Sequence, residues 1–87
     1  MSTEQALQPV DSIAPEALNV FKQEMARRQV DLLEYDLYFY RTDELFVVAT
    51  DYRKKPKGYR GSVPGHPDYE VHIFRKDNRV KSVSIAR

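Results

Sequence analysis

The chain has 87 residues, of which 41% are hydrophobic and 31% charged, with a formal net charge of +1 and no cysteine. A chain this short is one small domain burying only about 60% of its unfolded surface, and without cysteine it has neither a disulfide framework nor cysteine-ligated zinc. Its start lacks the basic-then-apolar pattern of a signal peptide, and nowhere does it contain the ~20 apolar residues of a membrane span, so the expected compartment is the cytoplasm.

Residues 1–12 are polar with isolated apolar positions and no sustained period, which is expected of a flexible tail; the single domain is expected over 13–87. Ser12 and Pro15 are helix-start signals, since serine caps exposed amides and proline tolerates the first turn. From Pro15 to about Leu32 the apolar residues Ala14, Leu18, Phe21, Met25 and Leu32 fall on one stripe of a helix, with Glu16, Asn19, Gln23 and Arg27 opposite. At ~1.5 Å per residue such a helix is about 27 Å long, enough to cross several strands spaced ~4.8 Å apart.

Glu34 to Arg41 is rich in β-formers, with Leu37 and Phe39 alternating with Tyr38 and Tyr40. The polar link Thr42-Asp43-Glu44 leads to a second β-rich run, Leu45 to Tyr52, and the two are expected to pair as a hairpin. Tyr69 to Ala86 holds two further alternating runs around the turn Lys76-Asp77-Asn78-Arg79. Val71, Ile73, Val83 and Ile85 are expected on the oily face of this hairpin, with Ser82 and Ser84 on the other. A lone hairpin is marginal, so the helix must cover it. The expected fold class is α+β, one N-terminal helix packed on a four-stranded antiparallel meander. Its expected core is Leu18, Phe21, Met25, Leu37, Phe39, Val47, Val71, Ile73, Val83 and Ile85. Tyr38, Tyr40, His72 and Phe74 would then share the face the helix leaves bare, a patch of rings suited to a partner or to a second copy of the chain.

Between the hairpins, Arg53 to Pro67 carries five basic and no acidic residues, with three prolines and three glycines. A connection of this length is uncommon in a compact domain unless it is functional or disordered. Residues 1–51 carry 4 basic and 10 acidic groups and residues 52–87 carry 10 and 3, so the halves differ in sign, at −6 and +7. Arg53, Lys54, Lys55, Lys57 and Arg60, with Tyr52 and Tyr59 interleaved, are therefore candidate partner-binding residues. They could steer an acidic protein or, as the alternative, hold nucleic-acid phosphates. Gly58, Gly61 and Gly65 lack the order of a phosphate loop. His66 and His72 sit in no defensible metal-ligand spacing, and no serine has the setting of a nucleophile, so neither a cofactor nor enzymatic activity is expected.

In its succession of elements the chain resembles cystatin-like helix-plus-meander proteins, and among these the small immunity proteins with a nuclear-transport-factor-like fold. The resemblance is carried by Glu16-Ala17-Leu18-Asn19-Val20-Phe21-Lys22, Tyr35-Asp36-Leu37-Tyr38-Phe39, Phe46-Val47-Val48, Arg60-Gly61-Ser62 and the closing stretch Glu70 to Val80. Phe46 stands where those proteins have tryptophan, and Asn78 where they have a turn glycine, a place asparagine can fill in the left-handed conformation. Peptidase-propeptide domains share a similar closing hairpin. Both families bind proteins, and the resemblance implies a non-enzymatic protein-binding module, inhibitor- or immunity-like; it assigns no individual binding residue.

Overall fold

The computed structural model describes residues 7–56, 58 and 63–86. The elements run β1 (Gln8–Val10), α1 (Pro15–Arg27), a 3-10 turn (Leu32–Glu34), β2 (Tyr35–Arg41), β3 (Leu45–Tyr52), β4 (Asp68–Phe74) and β5 (Val80–Ala86). The strands form one antiparallel sheet in sequence order, β1-β2-β3-β4-β5. The fold is α+β, with five strands where four were expected. The additional strand lies in the segment read as a tail, where Gln8, Pro9 and Val10 pair with Arg41, Tyr40 and Phe39. Three residues, the middle one a proline, have too little alternation to register as a strand.

Pro15 occupies the first turn of α1 as expected, but the cap is Ala14, whose side chain makes no capping bond, rather than Ser12. Ile13 before the cap belongs to the core cluster, and Leu18 packs against that cluster, the pattern of a hydrophobic staple that fixes the entry of the chain. The helix stops at Arg27, short of Leu32. Gln29 turns left-handed at φ 60, its N–H bonds the Ala26 carbonyl at 3.0 Å and the Val30 N–H reaches back to Met25 at 3.0 Å. Those two bonds are a Schellman closure, satisfying carbonyls that the helix end would otherwise leave open.

The buried stripe of α1 is Ala17, Phe21 and Met25, and it packs on Val48, Tyr69, Val71 and Ile73 of the sheet, with Leu37, Phe39, Phe46, Val80 and Val83 around them. Fully burying each large apolar side chain stabilises the fold by about 1.5–3 kcal/mol, which makes this layer the main source of stability. Two expected core residues stand elsewhere. Val47 alternates with Val48 and lies on the face away from the helix, though it is only 1% exposed. Ile85 is on the helix side but 53% exposed, because it sits on an edge strand.

The β4–β5 turn closes through Asn78, left-handed at φ 59. Its N–H bonds the Phe74 carbonyl at 2.8 Å, and Phe74 N–H bonds the Arg79 carbonyl at 2.8 Å. Asparagine therefore fills the position where glycine would be the default.

Candidate partner-binding surface

The pairing register decides what the helix-free face carries. Tyr40, Val47, His72 and Ser82 stand in one row across β2, β3, β4 and β5; Tyr38, Ala49, Glu70 and Ser84 stand in the next; Leu45 pairs with Phe74 beyond them. All four expected ring residues are thus on this face. They do not form a continuous stack, since Val47 separates Tyr40 from His72 by two strand spacings, about 9.6 Å. Tyr40 and His72 flank Val47 in this row, on a face that no described element covers. Tyr38 is 47% exposed, while Tyr40, Leu45, His72 and Phe74 are partly exposed. His72 Nε2 lies 2.7 Å from Glu70 Oε1, one step along the same strand.

Near Phe74 the two hairpin turns are tied together. Arg75 N–H bonds the Glu44 carbonyl at 2.9 Å, its guanidinium donates to the Thr42 and Asp43 carbonyls at 2.9 and 3.1 Å, and it lies 5.4 Å from the Phe46 ring centre on the other face. Asp43, Glu44, Phe74, Arg75 and Lys76 line a cavity of ≈ 280 Å³ here. Nothing in the sequence signals that the Arg75 guanidinium bonds carbonyls 33 and 32 residues earlier in the chain, because a backbone carbonyl carries no residue signature.

The basic segment is placed differently from the rings. Arg53 Nε bonds Asp36 Oδ1 at 2.8 Å, and its Nη1 donates to the Leu33 carbonyl at 3.2 Å. Lys55 Nζ lies 3.0 Å from Asp51 Oδ1 and is also paired with Asp68. Lys54 is exposed. Lys57, Tyr59 and Arg60 lie outside the described residues. Two of the candidate cations are therefore engaged by the protein's own carboxylates.

Asp68 explains why Lys55 is held there. The β3–β4 register runs from Leu45↔Phe74 to Ala49↔Glu70, and beyond it side chains substitute for the ladder. Thr50 Oγ1 accepts the Tyr69 N–H at 2.7 Å, and Asp68 Oδ1 accepts the Tyr52 N–H at 2.9 Å. Asp68 is 4% exposed, and a buried carboxylate needs a counter-charge; Lys55, its side chain 17% exposed, supplies it. The Asp68 hydrogen bond raises the Lys55 pKa above its ordinary value, burial opposes that, and the Asp51 bond adds to it.

The sequence also missed a polar cleft beside this end of the sheet. Pro64-Gly65, with Gly65 at φ 81, forms the turn that presents His66, whose N–H bonds the Val63 carbonyl at 2.9 Å. Its ring stacks on Tyr52 at 4.2 Å between centres and 8° between planes, and its Nδ1 lies 3.9 Å from Glu34 Oε1. Arg28, Asp31, Glu34, Tyr35, His66 and Tyr69 contribute to a cavity of ≈ 180 Å³. Burial, then the nearby Asp68 carboxylate, push the Tyr35 hydroxyl above its ordinary pKa. His66 and His72 thus lie beside different acidic residues, Glu34 and Glu70. Among the described residues no three His, Cys, Asp or Glu side chains converge as a metal site, and no described helix is long and apolar enough to cross a membrane.

Comparison with family models, with curated proteins and with solved structures yields no match to this chain.

Proposed function

We propose that the protein is a small non-enzymatic protein-binding module, acting in the cytoplasm, whose docking surface is the helix-free face of the sheet. The observation that carries the reading is a face with Tyr38 at 47% exposure beside partly exposed Tyr40, Leu45, His72 and Phe74, on which no described element packs. Aromatic side chains supply contact area at low entropic cost and are the residues on which interface energy concentrates. The sheet beneath them holds their backbone rigid, so little ordering would oppose docking.

An inhibitor- or immunity-like role and a cystatin-like relationship are part of this proposal. Their support is the succession of α1 and then β2-β3-β4-β5 as a sequential meander with the helix across one face. The nucleic-acid reading loses support from the geometry, since the Arg53 and Lys55 side chains are already paired with carboxylates.

The test is capture of a partner from the native cell extract with three forms of the protein: unaltered, Tyr38→Ser, and Lys22→Gln on the exposed side of the helix. A partner retained by the unaltered chain and by Lys22→Gln, and lost by a folded Tyr38→Ser, is the expected result. Equal retention by all three would move the interface off this face. Sub-micromolar binding of random single-stranded oligonucleotide at about 0.15 M salt would favour nucleic acid instead.

A further inference from the structure

We infer that β5 is a self-association edge, across which two copies of the chain join their sheets into one through antiparallel pairing of β5 with the same strand of a second copy. The two edges of the sheet are unequal. β1 is three residues long and contains Pro9, which lacks a ladder donor, and short strands and proline are both devices that blunt an edge. β5 is seven residues long, Val80–Ala86, without proline or glycine; its pairing with β4 shifts at Lys81, where the register steps from His72↔Ser82 to Ile73↔Val80, and the edge from Ser82 to Ala86 is regular. It ends the strand order, so its outer row of N–H and C=O groups meets no strand among the described residues.

The residues of β5 say what fits there. A strand paired antiparallel with its own copy about a two-fold axis at Val83 places Ser82 opposite Ser84 of the second copy and Lys81 opposite Ile85. Hydroxyl meets hydroxyl and the axis pair is valine on valine, so the strand Lys81-Ser82-Val83-Ser84-Ile85 is complementary to itself, as an isologous contact requires. Ile85, 53% exposed, gains cover from the aliphatic stem of the opposing Lys81. A lysine on an edge strand usually discourages pairing. In this register the two Lys81 side chains are four positions apart, about 14 Å along the strand, beyond the ~8 Å over which charges interact at physiological salt. The pairing puts both helices on one side of the joined sheet and leaves both ring-bearing faces open on the other, so it is compatible with partner docking and independent of it.

Ser82 and Ser84 are exposed and face away from the helix, which allows a charge exchange that leaves the core alone. Sedimentation equilibrium over a dilution series from millimolar to micromolar is expected to show a reversible monomer–dimer equilibrium for the unaltered chain. Ser82→Lys with Ser84→Lys sets like charges opposite each other twice and should raise the dissociation constant roughly tenfold. Ser82→Lys with Ser84→Glu sets opposite charges in those same pairs and should bring it back to within about threefold of the unaltered value. Its circular dichroism serves as the control for folding. Tyr38→Ser should leave the equilibrium unchanged. A monomer at every concentration, equal dissociation of both double variants, no effect of either, or dissociation by Tyr38→Ser would each overturn the inference.

Discussion

Lys55 illustrates what a residue's type conceals. In the sequence it is one of five cations in a loop with no acidic residue; in the structure it neutralises Asp68, whose other oxygen holds the Tyr52 N–H. Its neighbours in the chain do not announce this, because Asp68 is 13 residues away and the pairing exists only once β3 and β4 are aligned. Lys55→Met should cost about 1–3 kcal/mol in urea unfolding, because it removes a charged hydrogen bond from a buried carboxylate. The pH dependence has a definite sign. The folded pKa of Lys55 lies above its ordinary 10.5, and that of Tyr35 above its ordinary 10.0. Each contribution is complete below the unfolded value and is lost as pH rises through the folded one, so stability should decline above about pH 10. Lys55→Met should decline less steeply there than the unaltered protein; parallel curves in alkaline urea titrations would argue against the pair. The two isoleucines of the closing hairpin provide a contrast in burial. Ile73, fully buried, should cost about 2–5 kcal/mol on substitution by alanine, and Ile85, half exposed, less than about 1 kcal/mol. Equal losses would mean that Ile85 is covered, and a concentration dependence of its loss would link that cover to association.

At the scale of elements, what was legible followed from periodicity and what was not followed from pairing. The alternation of Leu37 with Tyr38, of Val71 with His72 and of Val83 with Ser84 placed each residue on its observed face, because a strand has period two. Val47 went to the wrong face because Phe46-Val47-Val48-Ala49 is apolar throughout, and a run without alternation does not say which parity faces the helix. The stripe of α1 was readable through Phe21 and Met25. Its end was not, since Leu32 continues the helical period while Gln29 has left it. Glycine is the usual residue at that position, and its absence removed the stop signal. Gln29→Gly should therefore raise stability by up to about 1 kcal/mol by relieving the left-handed backbone, measured by thermal or urea unfolding. A loss of stability instead would mean that the Gln29 side chain contributes more than its backbone costs. β1 was invisible for the reason that makes it a poor edge: three residues and a proline.

At the scale of the whole molecule, opposite charges of the two halves meet at the surface of the fold. Asp36 and Asp51 from the acidic half hold Arg53 and Lys55 from the basic half, so part of the asymmetry serves to join the first hairpin to the segment after it. The helix covers one face of a five-stranded sheet and the other keeps its rings. That is a stable arrangement for a sheet, whose antiparallel strands tolerate water on one side, and the rings distinguish this face from an ordinary wet one. A docking role for that face requires that it be covered in the functional complex. Hydroxyl-radical footprinting of the protein with its captured partner measures this directly, with Leu33, 84% exposed outside the sheet, as the internal reference. Tyr38, Tyr40 and Phe74 should lose most of their modification in the complex while Leu33 keeps its own. Rings modified at the free-state rate in a complex that has demonstrably formed would contradict the proposal.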